Sequence, residues 1–404
     1  MAEPTPAPTP AAPDVRLLRS ITLRNILSFG PDTPPLELRA LNVLIGPNGS
    51  GKSNLLDGIN LLREASDSEN LRVEVGGEYW MHKGTLYTKG NPTSIIAKIK
   101  AQGVDIGDRG HLADLLDHSI VISDGHRFGW TLQERIEDVE SNTPYFDSTD
   151  YQISVNSGDS RVSIEEKDFD RRASVLSQLR GLSYPAISLL TRRYRSIRLY
   201  REWTFGRNSG PRLPRRTDER NDFLAEDGSN LGLVLSKLST YPEIKDKFID
   251  ALNELYEGIK DFSVLTEGGT AQIFLREGNT SIPATRLSDG TLRYLCLLAI
   301  LLHPTPPPLI CLEEPELGLH PDAVVAVGKL IKEASTRTQL IITTHSRILI
   351  DTFQDSPEDV VVVSKQDGST RMERLDADKL RPYLDTYSLS NLWSSGDIGG
   401  NRWS

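Results

Sequence analysis

Cysteine is nearly missing from this chain: 404 residues hold two, Cys296 and Cys311, both inside apolar runs. No disulfide framework is available, and the pair reads as small buried hydrophobes of a cytoplasmic, reducing environment. The seven histidines are scattered, and no Cys/His cluster has zinc-ligand spacing. No apolar run approaches the roughly 20 residues that span a bilayer, so no membrane association is expected. Positive charge is in deficit too. With a net charge of −10 the surface is not coated in basic residues, which leaves room only for a local basic groove. Sustained heptads and internal repeats are absent, excluding a long coiled coil or a solenoid. The first 14 residues, MAEPTPAPTPAAPD, lack the basic and apolar regions of a secretory signal. Their Pro/Ala/Thr bias predicts a disordered tail over 1–14.

What remains is an α/β pattern. ITLRNILSFG (21–30) reads as a strand ending in a turn, LELRALNVLIG (36–46) as two short strands, and 53–65 as a helix. Residues 93–165 hold short strand-like runs separated by Gly, Asp, Asn and Ser. The pattern turns helical from about Asp168 to Leu255, around an Arg/Gly/Pro loop at 206–216. After that, a helix following LSDGT, the strand LICLEE, the helix from Asp322 to Ser335 and the strands QLIITT and DVVVVS alternate. That alternation means a largely parallel sheet with helices on its faces. The expected domains are an N-terminal lobe (15–165) with the phosphate loop and an antiparallel β region. A mainly helical insertion (166–260) and a C-terminal lobe (261–404) follow.

Four motifs carry the chemistry. GPNGSGKS (46–53) fits the phosphate-loop pattern between an apolar strand and a helix. Gly46, Pro47, Asn48, Gly49, Ser50, Gly51, Lys52, Ser53 and Asn54 form the expected nucleotide cradle. The glycines let backbone N–H groups face phosphates, Lys52 reaches the β/γ oxygens, and the Ser53 hydroxyl ligates Mg²⁺. In LICLEEPE, four apolar residues run into Glu313, expected at the Mg²⁺, and Glu314, placed to polarise the attacking water. In LSDGT, Ser288 caps a buried helix, and with Asp289 and Gly290 offers its N-terminal end to an anion. His345, after the strand LIITT, is expected at the γ-phosphate. Glu314, His345 and Lys52 are the catalytic candidates.

Together these residues resemble ABC-type ATPases and, more closely, the SMC/RecF/OLD-like branch. There the acidic strand reads EEPE with LHP behind it, here Glu313–Glu316 and Leu319–Pro321. The opening L-x-N-I-L-S-F, Leu23 to Phe29, is similar to the same branch. The resemblance implies a P-loop NTPase of the ABC/SMC-head type with a β-rich lobe and an inserted helical subdomain. It implies ATP and Mg²⁺ as cofactors and a head-to-tail dimer with ATP between one phosphate loop and the partner's Ser288 helix. Asp289 replaces the first signature glycine, and His320 stands where transporter ATPases have Asp. No Q-loop glutamine stands out beyond Gln133. Too few residues follow His345 for the Toprim nuclease domain of some relatives. Relatives of this size resemble ATPase components of anti-phage systems, paired with a separate nuclease or toxin effector. The expected function is thus an ATPase driving DNA-linked work or an effector, in defence or repair. A slowly hydrolysing ATP-binding scaffold and a transporter subunit are the alternatives.

Residues 192–220 hold ten arginines against Glu202, Asp218 and Glu219, with Tyr194, Tyr200, Trp203 and Phe205 interleaved. Such a segment suits nucleic-acid contact, with Arg207, Arg212, Arg215 and Arg216 as candidates, or else pairs with acids elsewhere in the protein. The Gly-rich end, GDIGGNRWS (396–404), reads either as a frayed tail or as a docking segment.

Overall fold

The computed structural model describes residues 14–66, 93–100, 114–123, 131–149, 152–157, 160–256 and 258–399. The expected disordered tail (apart from Asp14) and the terminal Arg402–Trp403 lie outside them.

A six-stranded sheet forms the centre, in the order Arg198–Tyr200, Leu309–Glu313, Gln339–Thr344, Leu41–Ile45, Val360–Gln366, Ser369–Arg374. The first five are parallel and the last closes an antiparallel hairpin. The inner strands Leu309–Glu313, Gln339–Thr344, Leu41–Ile45 and the first half of Val360–Gln366 are nearly continuous apolar runs because both faces are buried. Leu44, Cys311, Ile341 and Val361 enter one hydrophobic core, whereas Val43, Ile310, Ile342 and Val362 enter a second on the opposite face. Each such side chain contributes about 1.5–3 kcal/mol when removed from water.

An eight-stranded antiparallel sheet covers the first core, running Leu36–Glu37, Leu18–Arg24, Thr93–Lys100, Leu115–Ser123, Thr131–Asp138, Pro144–Asp147, Ile153–Ser157, Ser160–Ile164. Ile95, Ala97 and Ile99 alternate inward along one strand, as expected when only one face is dry. Gln133 lies in this sheet, opposite Val121. Gln339, fully buried, ties the two sheets together. Its Oε1 accepts from the Leu17 and Leu18 amides at 3.0 and 2.9 Å, and its Nε2 donates to the Leu18 and Arg39 carbonyls. The second core packs on helix Asp289–Leu301, which is buried almost all round, and on helix Pro321–Ser335.

The region expected to be mainly helical contains helices Val175–Gln178, Pro185–Arg195, Leu231–Leu238 and Pro242–Asn253. It also supplies the edge strand Arg198–Tyr200 of the central sheet, paired in parallel with Ile310–Leu312. Three residues are too few for period-2 alternation to stand out beside a helix. A hairpin of Ile259–Glu267 and Thr270–Glu277, flanked by Arg215–Arg216 and Thr280–Pro283, leads into the LSDGT segment. No helix among the described residues is long and apolar enough to cross a membrane.

Candidate nucleotide site

Parallel pairing decides where the motifs meet. Register places Glu313 beside Thr343 and Thr343 beside Leu44, so three strands end at one edge of the sheet. From that edge emerge the phosphate loop, the two glutamates and His345. Ligands of open α/β sheets bind at this carboxyl edge.

The phosphate loop needs its glycines for two physical reasons. Gly46, Gly49 and Gly51 have φ of +154°, +78° and +112°, where a side chain is strained. In addition, a Cβ on Gly46 would lie 2.1 Å from the Val363 carbonyl oxygen, and one on Gly51 would lie 2.1 Å from Thr370 Oγ1. Thr370 donates to the Ser50 carbonyl at 2.7 Å and meets Ser28 Oγ at 2.6 Å; Asn54 Nδ2 donates to the same Ser28 at 2.6 Å. The loop is thus clamped from below by two distant segments. Ser28 belongs to the L-x-N-I-L-S-F opening. Thr370 left no sequence signal, because its role depends on a hairpin 320 residues away from Ser50.

Lys52 is buried, and its Nζ donates to the Gly46 and Pro47 carbonyls at 2.9 and 3.1 Å. Burial pushes its pKa down to about 8, against the nearby charges of Glu314, Glu313 and Glu316. The buried Ser50 hydroxyl has no hydrogen-bond partner. Positive-φ glycines, a buried ammonium and an unsatisfied hydroxyl together fit a polyphosphate. The Ser53 hydroxyl donates to Glu313 Oε1, so two hard oxygen donors converge as a Mg²⁺ site requires. Glu313 Oε2 accepts from Arg201 Nε at 2.7 Å, and the other end of that guanidinium pairs with Asp57. Arg201 and Asp57 were not among the residues expected at the site; the contact joins positions 112 apart in the chain and has no local pattern.

Glu314 has φ of +45°, an uncommon conformation for a side-chain-bearing residue, which turns the chain sharply off the strand. Its amide donates to the Thr343 carbonyl at 3.0 Å, and its Oε1 lies 3.3 Å from His345 Nε2. Burial, together with the charge of Lys52, lowers the His345 pKa, favouring neutral imidazole. Glu316 supports this corner from behind. One of its oxygens accepts from Thr344 Oγ1 and from the His345 and Ser346 amides at 3.1 and 3.2 Å. Its burial raises the carboxyl pKa, and its Oε2 is enclosed without a partner.

Ser288 caps helix Asp289–Leu301 by accepting from the Thr291 amide at 3.0 Å. Gly290 approaches the loop after the acidic strand so closely that a Cβ would lie 2.8 Å from the Gly318 carbonyl oxygen. Arg293, one turn on, reaches the Glu314 carbonyl at 3.4 Å and lies over the Trp203 and Phe205 rings. Among the described residues, no hydrogen bond of Ser288 or Asp289 reaches the phosphate loop of the same chain.

The arginine-rich segment corrects one expectation. Arg212 is buried, and its guanidinium donates to the carbonyls of Phe205, Ala284 and Leu287 and pairs with Asp289. It cannot face a nucleic acid, because a buried guanidinium must satisfy its donors inside the protein. Arg215 is half-buried against the Ser229 carbonyl. Arg207 and Arg216 are exposed, the latter paired with Asp218 at 2.7 Å.

A cleft of about 640 Å³ opens beside the site, lined by Ser53, Asn54, Asp57, Arg201, Glu202 and Asp227 among others. A larger hollow of about 1050 Å³, between helices Pro321–Ser335 and Ala377–Leu384, contains none of the motif residues.

Three likenesses bear on this geometry. Residues 41–351 match the family described as "AAA domain, putative AbiEii toxin, Type IV TA system". Over 56 residues, 14% of this chain, the sequence is 46% identical to the chromosome partition protein Smc of Desulfitobacterium hafniense (strain Y51). The match spans only 5% of that protein's length. Among solved structures, the chain is similar to an Smc head bound to the C-terminal winged-helix domain of ScpA. That likeness has a TM-score of 0.55 and 14% identity, covering 90% of this chain and 99% of the other. A second is the Smc head with an extended coiled coil bound to the C-terminal domain of ScpA, derived from Pyrococcus furiosus. There the TM-score is 0.56 at 14% identity, covering 91% and 98%. At that identity the likeness speaks for fold, whereas the family match spans most of the chain. The chain belongs to this AAA-domain family of ATPases, and its fold is that of SMC heads.

Proposed function

We propose that this ATPase works as a head-to-tail pair, each ATP lying between the phosphate loop of one copy and the Ser288 segment of the other. The observation that supports this reading is the position of the motif residues relative to the Ser288 helix end. Glu314, His345, Lys52, Ser53 and Glu313 gather at one sheet edge, while the capped Ser288 end makes no bond to its own phosphate loop. In this reading residues 46–54 cradle the triphosphate, with Lys52 leaving its carbonyl partners for the β/γ oxygens. Ser53 and Glu313 would hold Mg²⁺, which would supply charge neutralisation at the phosphates. Glu314 accepts a proton from the attacking water, and the neutral His345 donates its single N–H toward the γ-phosphate oxygens. Ser288, Asp289 and Gly290 of the second copy close the site. Hydrolysis then separates the copies, and that cycle drives DNA-linked work or a separate nuclease or toxin effector, in anti-phage defence or repair.

The test is light scattering of Glu314→Gln with ATP. The expected result is a stable dimer that Ser288→Arg prevents without weakening nucleotide binding to the monomer. A monomer in Glu314→Gln at saturating ATP would overturn the pairing. Hydrolysis measured with and without DNA separates a DNA-linked enzyme from one answering to a protein effector.

A further inference from the structure

Arg201 makes a contact that the proposed hydrolysis does not use. It extends from the end of strand Arg198–Tyr200, next to the acidic strand, and its guanidinium bridges two carboxylates. Nε holds Glu313 Oε2 at 2.7 Å, and the opposite edge holds Asp57, one helical turn beyond Ser53. The remaining oxygen, Glu313 Oε1, accepts from Ser53. Both oxygens of the metal carboxylate are therefore taken by side chains. Without the guanidinium, two carboxylates and a hydroxyl would face one another. That hard-oxygen set suits a divalent cation.

We infer that Arg201 is a tethered cation that occupies the Glu313–Asp57 pair and keeps divalent metal out until it arrives with nucleotide. The inference rests on Glu313 as the metal carboxylate. A planar, permanently charged fork can hold both acids at once, which a point charge does less well. The neighbouring cleft has room for the displaced guanidinium, and Glu202 and Asp227 on its wall supply acceptors. Bare metal lacks the triphosphate that would repay breaking two charge-assisted bonds, so it does not displace Arg201. Metal carried by ATP brings additional bonds to the phosphate loop and does.

The experiment uses Mn²⁺ alone as probe, read by the loss of its free EPR signal, in the nucleotide-free full chain. Wild type should bind Mn²⁺ weakly. Arg201→Gln should bind at least tenfold more tightly, and the gain should vanish in the doubles Arg201→Gln/Asp57→Asn and Arg201→Gln/Glu313→Gln. Arg201→Lys, which keeps the charge, should gain less than Arg201→Gln and guards against a folding defect in the neutral variant. Equal Mn²⁺ binding by wild type and a folded Arg201→Gln would overturn the inference. So would a gain that survives Glu313→Gln. Neither outcome involves pairing of two copies, so a failure here is distinguishable from failure of the dimer in the Glu314→Gln test.

Discussion

Gly46 shows how narrowly one residue can control this site. Its φ and the Val363 carbonyl oxygen, which would lie 2.1 Å from a Cβ placed there, leave no room for a methyl group. Gly46→Ala should therefore distort the loop and abolish nucleotide binding as completely as Lys52→Ala. It should also lower thermal stability more than Lys52→Ala, in which relief of a desolvated charge offsets the lost bonds to the Gly46 and Pro47 carbonyls. Calorimetric titration with a non-hydrolysable ATP analogue, paired with thermal melts, separates the two. Glu316 behaves differently. Its carboxyl pKa is raised in the fold, so its protonated form is the one folding favours. The wild-type protein therefore gives up stability as pH rises through and above the ordinary carboxylate range. Glu316→Gln keeps one acceptor for Thr344, His345 and Ser346 without the charge. Its melting temperature should gain on wild type at pH 8 and gain less at pH 5. Glu316→Ala should lose about 1–3 kcal/mol at both, because it orphans those donors. A Glu316→Gln gain that is larger at pH 5 would contradict the assignment.

Among elements, the strands and helices carrying the motifs were legible because each is local: an apolar run, a capping serine, a glycine loop. The strand expected at LICLEE is Leu309–Glu313, and the helix after LSDGT is Asp289–Leu301. What could not be read were contacts between distant segments: Thr370 beneath Ser50, Arg201 on Glu313, Arg212 inside the LSDGT loop. Composition alone left Arg212 and its neighbours open between nucleic-acid contact and internal pairing, because a side chain's direction is set by packing, which composition does not encode. Arg212 instead unites the arginine loop with residues 284–289 through several carbonyls and Asp289, the residue standing in the signature glycine's place. Its removal leaves those buried carbonyls without donors, a cost of about 1–3 kcal/mol. Asp289 is itself largely exposed, so losing its ion pair adds little to that. Arg212→Ala should therefore lower the unfolding midpoint in urea, while Arg216→Ala, on an exposed pair, should leave it within experimental error. Equal midpoints for the two would mean that Arg212 is not an internal anchor.

At the scale of the whole molecule, the central sheet separates two cores, and the phosphate loop, Glu313, Glu314 and His345 follow the ends of its parallel strands. If a second copy supplies one wall of the site, as proposed, ligand binding is coupled to association, and mass action makes that coupling measurable as stability. A ligand bound only by the native state adds RT ln(1 + [L]/Kd), about 2.7 kcal/mol at a hundredfold excess over Kd, whatever the protein concentration. A ligand that also joins two copies makes the melting temperature rise with protein concentration. Glu314→Gln with ATP and Mg²⁺ should therefore show a melting temperature that climbs over a hundredfold range of protein. Adding Ser288→Arg to it should keep the constant ligand gain and lose the climb, and Lys52→Ala should lose both. A Glu314→Gln protein whose melting temperature with ATP is independent of its own concentration would place the complete site within one chain.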